Sequence, residues 1–115
     1  MAGRKPDVGY DVFASLDLRV GRVVAAETFP EARTPSLKLT VDFGPDVGQL
    51  RTSARITNYS VDELPGRLVV GAINLGRKRI AGFASEFLVL GGIDPDGTVH
   101  LLSVDHDGEP GRPVE

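Results

Sequence analysis

Apolar and polar residues alternate most cleanly from Leu37 to Phe43. Leu37, Leu39, Val41 and Phe43 point one way, and Lys38, Thr40 and Asp42 the other. A period of two with one apolar face predicts a half-buried strand. The same alternation begins at Leu16, with Leu18 and Val20 set against Asp17, Arg19 and Gly21, and continues to Ala26. Gly21 interrupts it, and an interior glycine in a strand marks a bulge or sharp bend. A long first strand bent at a glycine is what a small closed barrel needs, because one strand must serve both halves of the curled sheet. Gln49–Ala54 predicts a third strand with Leu50, Thr52 and Ala54 inward. Arg67–Ile73 predicts a fourth and Glu86–Leu90 a fifth, with Arg79–Phe83 as a turn or short strand between them and Thr98–Val104 as a last strand.

The segments between these strands carry turn chemistry. Glu27–Pro35 holds two prolines and reads as a loop, and Gly44–Gly48 and Asp94–Gly97 read as tight turns. Two short helices are predicted. Asp11–Leu16, capped by Asp11, sets Val12, Phe13 and Leu16 on one face, to cover the open end of a sheet or to meet a second subunit. Ser60-Val61-Asp62-Glu63 fits a capping box and is stopped by Pro65-Gly66. Short strands at regular spacing suggest a small barrel or sandwich. A helix between strands three and four is the mark of the OB-fold, so the expected class is all-β: a five-stranded Greek-key OB barrel with a short N-terminal helix. A length of 115 residues suits one domain. Residues 1–10 are expected to form a flexible tail, and residues 11–115 a single domain ending in a polar extension.

Composition narrows the chemistry. With no Cys, disulfides, thiolate metal sites and thiol nucleophiles are excluded, which suits a reducing, cytoplasmic setting. No apolar run reaches the length of a membrane span, and no apolar segment follows the N-terminal charges as in a signal peptide. Enzyme readings are poor. His100 alternates within a strand and His106 lies in an acidic tail, and no nucleophile sits in a recognisable elbow. Asp94-x-Asp96-Gly97 and Asp105-x-Asp107-Gly108 place their glycine too early for a calcium loop and read as turns. No cofactor or metal is expected.

The charge distribution says more than the net charge of -3. Arg77, Lys78 and Arg79 are adjacent, which folding alone does not favour, although a solvated basic turn is the plain alternative. A polyanion would gain from such a cluster, because each neutralised phosphate releases counterions. In an OB barrel the face of strands two and three and the loops following strands one and four form the binding surface. Arg33, Lys38, Arg51, Arg55, Arg77, Lys78 and Arg79 would all ring that side. The chain has no Trp and few other aromatics. That argues against sequence-tolerant single-strand binding by base stacking and leaves shape and backbone recognition of a folded RNA.

Asn74-Leu75-x-x-x-Arg79-Ile80-x-Gly82-x-x-Ser85-Glu86 resembles the motif of the tRNA-binding domain family. The likeness extends through Phe13-x-x-Leu16-Asp17-Leu18-Arg19-Val20-Gly21, Phe29–Arg33 and Ser53–Thr57, and covers about residues 11–104. These stretches, and Arg79–Gly91, look like the CsaA-type branch. The resemblance implies an OB fold, a homodimer without catalysis, and tRNA binding by Asn74, Arg79, Ser85 and Glu86 with the neighbouring cations. It also implies an export-related chaperone role, binding unfolded or precursor polypeptides in apolar grooves near the dimer interface. One departure is visible: Phe87-Leu88 follow Ser85-Glu86 where many synthetase-linked members have Gly-Met, putting bulk where backbone could approach RNA. Asn74, Ser85 and Glu86 also have a plain structural use, capping a turn or bonding local backbone. Phe13, Phe83 and Phe87 suit a core or a dimer interface.

Overall fold

A computed structural model of the chain describes residues 3–105 and 107–115; His106 lies outside the described residues. Helix α1 (Tyr10–Ala14) leads into β1 (Leu18–Thr28), β2 (Leu37–Asp42), β3 (Gln49–Ala54) and β4 (Leu68–Ala72). A hairpin of β5 (Lys78–Ile80) and β6 (Phe83–Ser85) follows. Then come β7 (Leu88–Val89) and a second hairpin, β8 (Gly91–Ile93) and β9 (Val99–Leu101).

The main sheet runs β3-β2-β1-β4-β7 and every pairing is antiparallel. β4 returns from a long connection to lie beside β1, which is the Greek-key order. β1 serves both halves of the sheet, as its length predicts. Leu18–Arg22 pair with β4, and Arg22–Thr28 pair with β2. The barrel then closes on itself between β3 and residues 85–87. The Glu86 N–H donates to the Arg51 carbonyl at 2.8 Å, and the Arg51 N–H donates to a Glu86 carboxylate oxygen at 2.9 Å. The Thr52 hydroxyl donates to the Phe87 carbonyl at 2.7 Å. The result is a nearly closed five-stranded OB-type barrel.

Leu39, Val41, Phe43, Ile56, Leu64 and Val69 are fully buried at its centre. The Phe43 and Phe87 rings meet edge-on, with centroids 4.9 Å apart. Gly21 has a different use from the one its position suggests. The register of β1 against β2 breaks between Val23 and Ala25, so the bulge falls later in the strand. Gly21 and Gly71 instead leave room for the aromatic pair. A Cβ on Gly71 would stand 2.8 Å from the Phe87 ring and 2.9 Å from that of Phe43.

Two helix expectations need correction. Residues 57–66 form consecutive turns, so no helix separates β3 from β4. One half of the capping box is made, the Ser60 N–H donating to the Glu63 carboxylate at 2.9 Å. Pro65 follows too soon, however. It disfavours helical backbone at Leu64 and offers no N–H, and a single turn cannot repay helix nucleation. α1 begins at Tyr10 rather than Asp11, with Gly9 at its N-cap and no side-chain cap. None of its residues is buried, so it does not cover the end of the sheet.

The Asp94–Gly97 turn forms as expected, closed by the Gly97 N–H on the Asp94 carbonyl at 2.8 Å. The Thr98 N–H and then its hydroxyl hold the exposed Asp96 carboxyl below its ordinary value. Residues 110–114 run alongside the first residues of β1 and continue the line that β2 leaves. Val20 exchanges backbone bonds with Gly111 and Arg112, and the Val114 N–H donates to the Leu18 carbonyl. No described helix is long and apolar enough to cross a membrane.

Candidate nucleic-acid interface

The alternation of β2 turns Lys38 away from the buried Leu37 and Leu39 and onto the outer face of the barrel. There the β1–β2 loop and the β5–β6 hairpin are clasped together. Phe29 of the loop and Phe83 of the hairpin meet edge-on at 5.5 Å. The Lys38 ammonium lies 4.6 Å from the Phe29 ring and 5.0 Å from that of Phe83. The Arg51 guanidinium stands 4.7 Å from Phe83 and is paired with Glu27 at 2.7 Å. The ring quadrupoles attract both cations. Lys38 and Arg51 therefore hold the clasp as well as charging the face.

The hairpin reverses through Ala81 and Gly82, at φ 48° and 80°. Positive φ at both central residues is the type I′ turn that matches strand twist. Arg79 steadies it by donating to the Gly82 carbonyl at 2.9 Å.

Between the loop, β3, the hairpin and β7–β8 runs a groove of about 770 Å³. Four cations line it, Arg33 and Arg55 together with Lys78 and Arg79, and its lining includes no carboxylate. The side chains of Arg33, Arg55 and Lys78 make no hydrogen bond or ion pair with any described residue. Ile80, Leu88 and Ile93 contribute apolar surface between these charges. Leu88 and Ile93 stay 52% and 73% exposed, Leu88 within β7 and Ile93 at the end of β8.

The remaining predicted residues lie outside the lining, except Ser85. The Ser85 hydroxyl shares a 2.9 Å bond with that of Thr52, which is buried to 1% exposure. Glu86 bonds the Arg51 backbone and accepts Arg77 at 3.2 Å, so it ties the base of the hairpin to the barrel wall. Asn74 accepts the Asp17 N–H and donates to the Ser15 carbonyl, both at 2.8 Å, clamping the α1–β1 junction to the end of β4. Each of these side chains is thus engaged within the fold. Sequence reasoning missed Thr52 as a polar closure point, the Phe29–Phe83 clasp and the apolar part of the groove. Phe29 and Phe83 lie 54 positions apart with no local signal of contact.

Comparison with known proteins gives the family. The family model described as "Putative tRNA binding domain" matches residues 18–113. The chain belongs to the tRNA-binding domain family. Among solved structures of that architecture it is similar to the chaperone CsaA of Bacillus anthracis, at 40% identity and a TM-score of 0.91, covering 96% of this chain and all of that one. The CsaA chaperone protein of Picrophilus torridus is 42% identical with a TM-score of 0.90, over 95% of this chain and all of that one. Among curated sequences, methionine–tRNA ligase 1 of Sorangium cellulosum is 40% identical over 109 residues. That match takes in 95% of this chain but 15% of the ligase, so the chain spans only a small part of the length of such a relative.

Proposed function

We propose that this chain binds tRNA by shape and phosphate contacts. The face is the cationic groove of Arg33, Arg55, Lys78 and Arg79, flanked by Lys38, Arg51 and Arg77. The observation that carries the reading is four cations around an acid-free groove in a tRNA-binding domain. Cations with no internal partner give up no ion pair when a phosphate arrives, and neutralised phosphates release counterions. Asn74, Ser85 and Glu86 act in this reading as positioning residues. They hold the hairpin and the barrel wall that present the cations, and no catalytic step is assigned to the domain. The expected setting is the cytoplasm.

The chain is expected to work as a homodimer. Val12, Phe13 and Leu16 on and after α1, with Leu75 beyond β4, are large apolar side chains left exposed. A second copy would cover them.

The test is a tRNA titration over a series of salt concentrations. Contact with about four phosphates predicts a log–log salt slope near -3. Arg79→Ala and Lys78→Ala should each weaken binding and reduce the slope by roughly one unit. Weak binding that both substitutions leave unchanged would sink the reading.

A second reading, a chaperone that holds unfolded or precursor polypeptides, draws on two observations. Leu88, Ile93 and Leu102 are exposed, and both similar solved structures are of proteins called chaperones. Binding of an unfolded polypeptide that outlasts Arg79→Ala and is lost in Leu88→Ser would favour it.

A further inference from the structure

The groove carries more apolar surface than phosphate recognition needs. Ile80, Leu88 and Ile93 lie in the same cleft as the four cations. A ligand that meets only charge would leave them in water. Its volume of about 770 Å³ falls within the ~300–1,000 Å³ of sites that enclose small organic ligands. We infer that this groove takes one or two unpaired nucleotides of the RNA, with bases against Ile80, Leu88 and Ile93 and phosphates on Arg33, Arg55, Lys78 and Arg79.

Charge complementarity selects this occupant. The lining includes no acidic side chain, so it favours a polyanion. A paired RNA helix shows its phosphates and 2′-hydroxyls but keeps its base faces stacked inside, whereas unpaired nucleotides can be splayed out. Only an unpaired segment offers phosphate and a flat apolar face together. Aliphatic side chains pack against that face without the exposed aromatic that the chain lacks here. The inference rests on the RNA reading and adds to it what the groove distinguishes: a loop or an end, not a duplex.

The experiment uses the whole chain and two RNA hairpins of equal length, one blunt and one with a short unpaired 3′ overhang. Wild-type protein should bind the overhang probe about tenfold more tightly, the scale of burying roughly two methylene groups. Leu88→Ser with Ile93→Ser should remove that preference and leave the salt slope for the blunt probe unchanged. Both side chains are largely exposed, so the variant should keep its fold. In wild-type protein, a tetranucleotide RNA should shift the Ile80 and Ile93 methyl resonances by ring current, which tests the groove without a variant. Equal binding of the two probes, or a preference that survives in the variant, would overturn the nucleotide pocket while the RNA reading stands. Binding of neither probe would overturn the nucleotide pocket, and failure to bind tRNA as well would bring down both. Displacement of RNA by a peptide alternating Glu and Leu, at lower concentration than the tetranucleotide requires, would hand the groove to polypeptide.

Discussion

Asn74 belongs to the motif that resembles tRNA-binding domains, yet its side chain is engaged inside the fold. Its amide accepts from Asp17 and donates to Ser15, so one side chain satisfies two backbone groups where α1 meets β1. Neither group has another hydrogen-bond partner among the described residues, and both lie where water can reach. Asn74→Ala is therefore expected to cost about 1–2 kcal/mol, the net worth of two such bonds. Urea denaturation measures it. The salt slope of tRNA binding should stay the same, because no phosphate contact is lost. A slope reduced by one unit would instead place Asn74 on the RNA. The residue type was legible in the sequence as a cap or a contact. Its partners were not, because Ser15 and Asp17 lie 59 and 57 positions away.

The β5–β6 hairpin is the element on which the proposed site depends. It carries Lys78 and Arg79 on one arm and Phe83 and Ser85 on the other, with register set by Lys78 opposite Ser85 and Ile80 opposite Phe83. Its turn asks for two left-handed residues and supplies Ala81 at one of them. A Cβ in that region costs roughly 1–2 kcal/mol, and Asn tolerates it better. Ala81→Asn creates the Asn-Gly pair that type I′ turns prefer. The expected result is a gain of about 0.5 kcal/mol in thermal or urea denaturation, part of the strain being retained by any residue with a Cβ. Arg79 would be presented as before, so tRNA affinity should hold or rise. A loss of stability would mean that the turn differs from type I′. The strands with strict alternation, β2 above all, were readable because a single buried face imposes the period. This hairpin was readable only as a basic turn or short strand, since it lies off the main sheet and its short arms bury little but Phe83.

At the scale of the whole molecule, the barrel is finished by chain that looked loose. Pro110, Gly111 and Pro113 break every local pattern, and the polar residues around them show no periodicity. Yet Gly111, Arg112 and Val114 make three backbone bonds to Leu18 and Val20, about ninety residues earlier. Pro113, lacking an N–H, faces Arg19 at an isolated bridge on the outer edge, where no donor is demanded of it. Gly44 and Gly111 both have positive φ and pack closely, a Cβ on Gly44 standing 2.8 Å from the Pro110 carbonyl. Such a contact is written in geometry that only the assembled barrel creates, so no stretch of sequence announces it. It also determines what removal would do. Ending the chain after Asp107 leaves the first residues of β1 unpaired on one edge, and open edges recruit other strands. The truncated chain is expected to lose about 2–4 kcal/mol, near the net worth of three backbone bonds with the packing around them. It should also self-associate with rising concentration, which sedimentation velocity would detect. The groove shares no lining residue with this edge, so tRNA affinity measured below the association threshold should be unchanged. An unchanged denaturation midpoint would show that the tail adds nothing to the barrel. A parallel loss of tRNA binding would show that the β1 edge and the groove are coupled through β4.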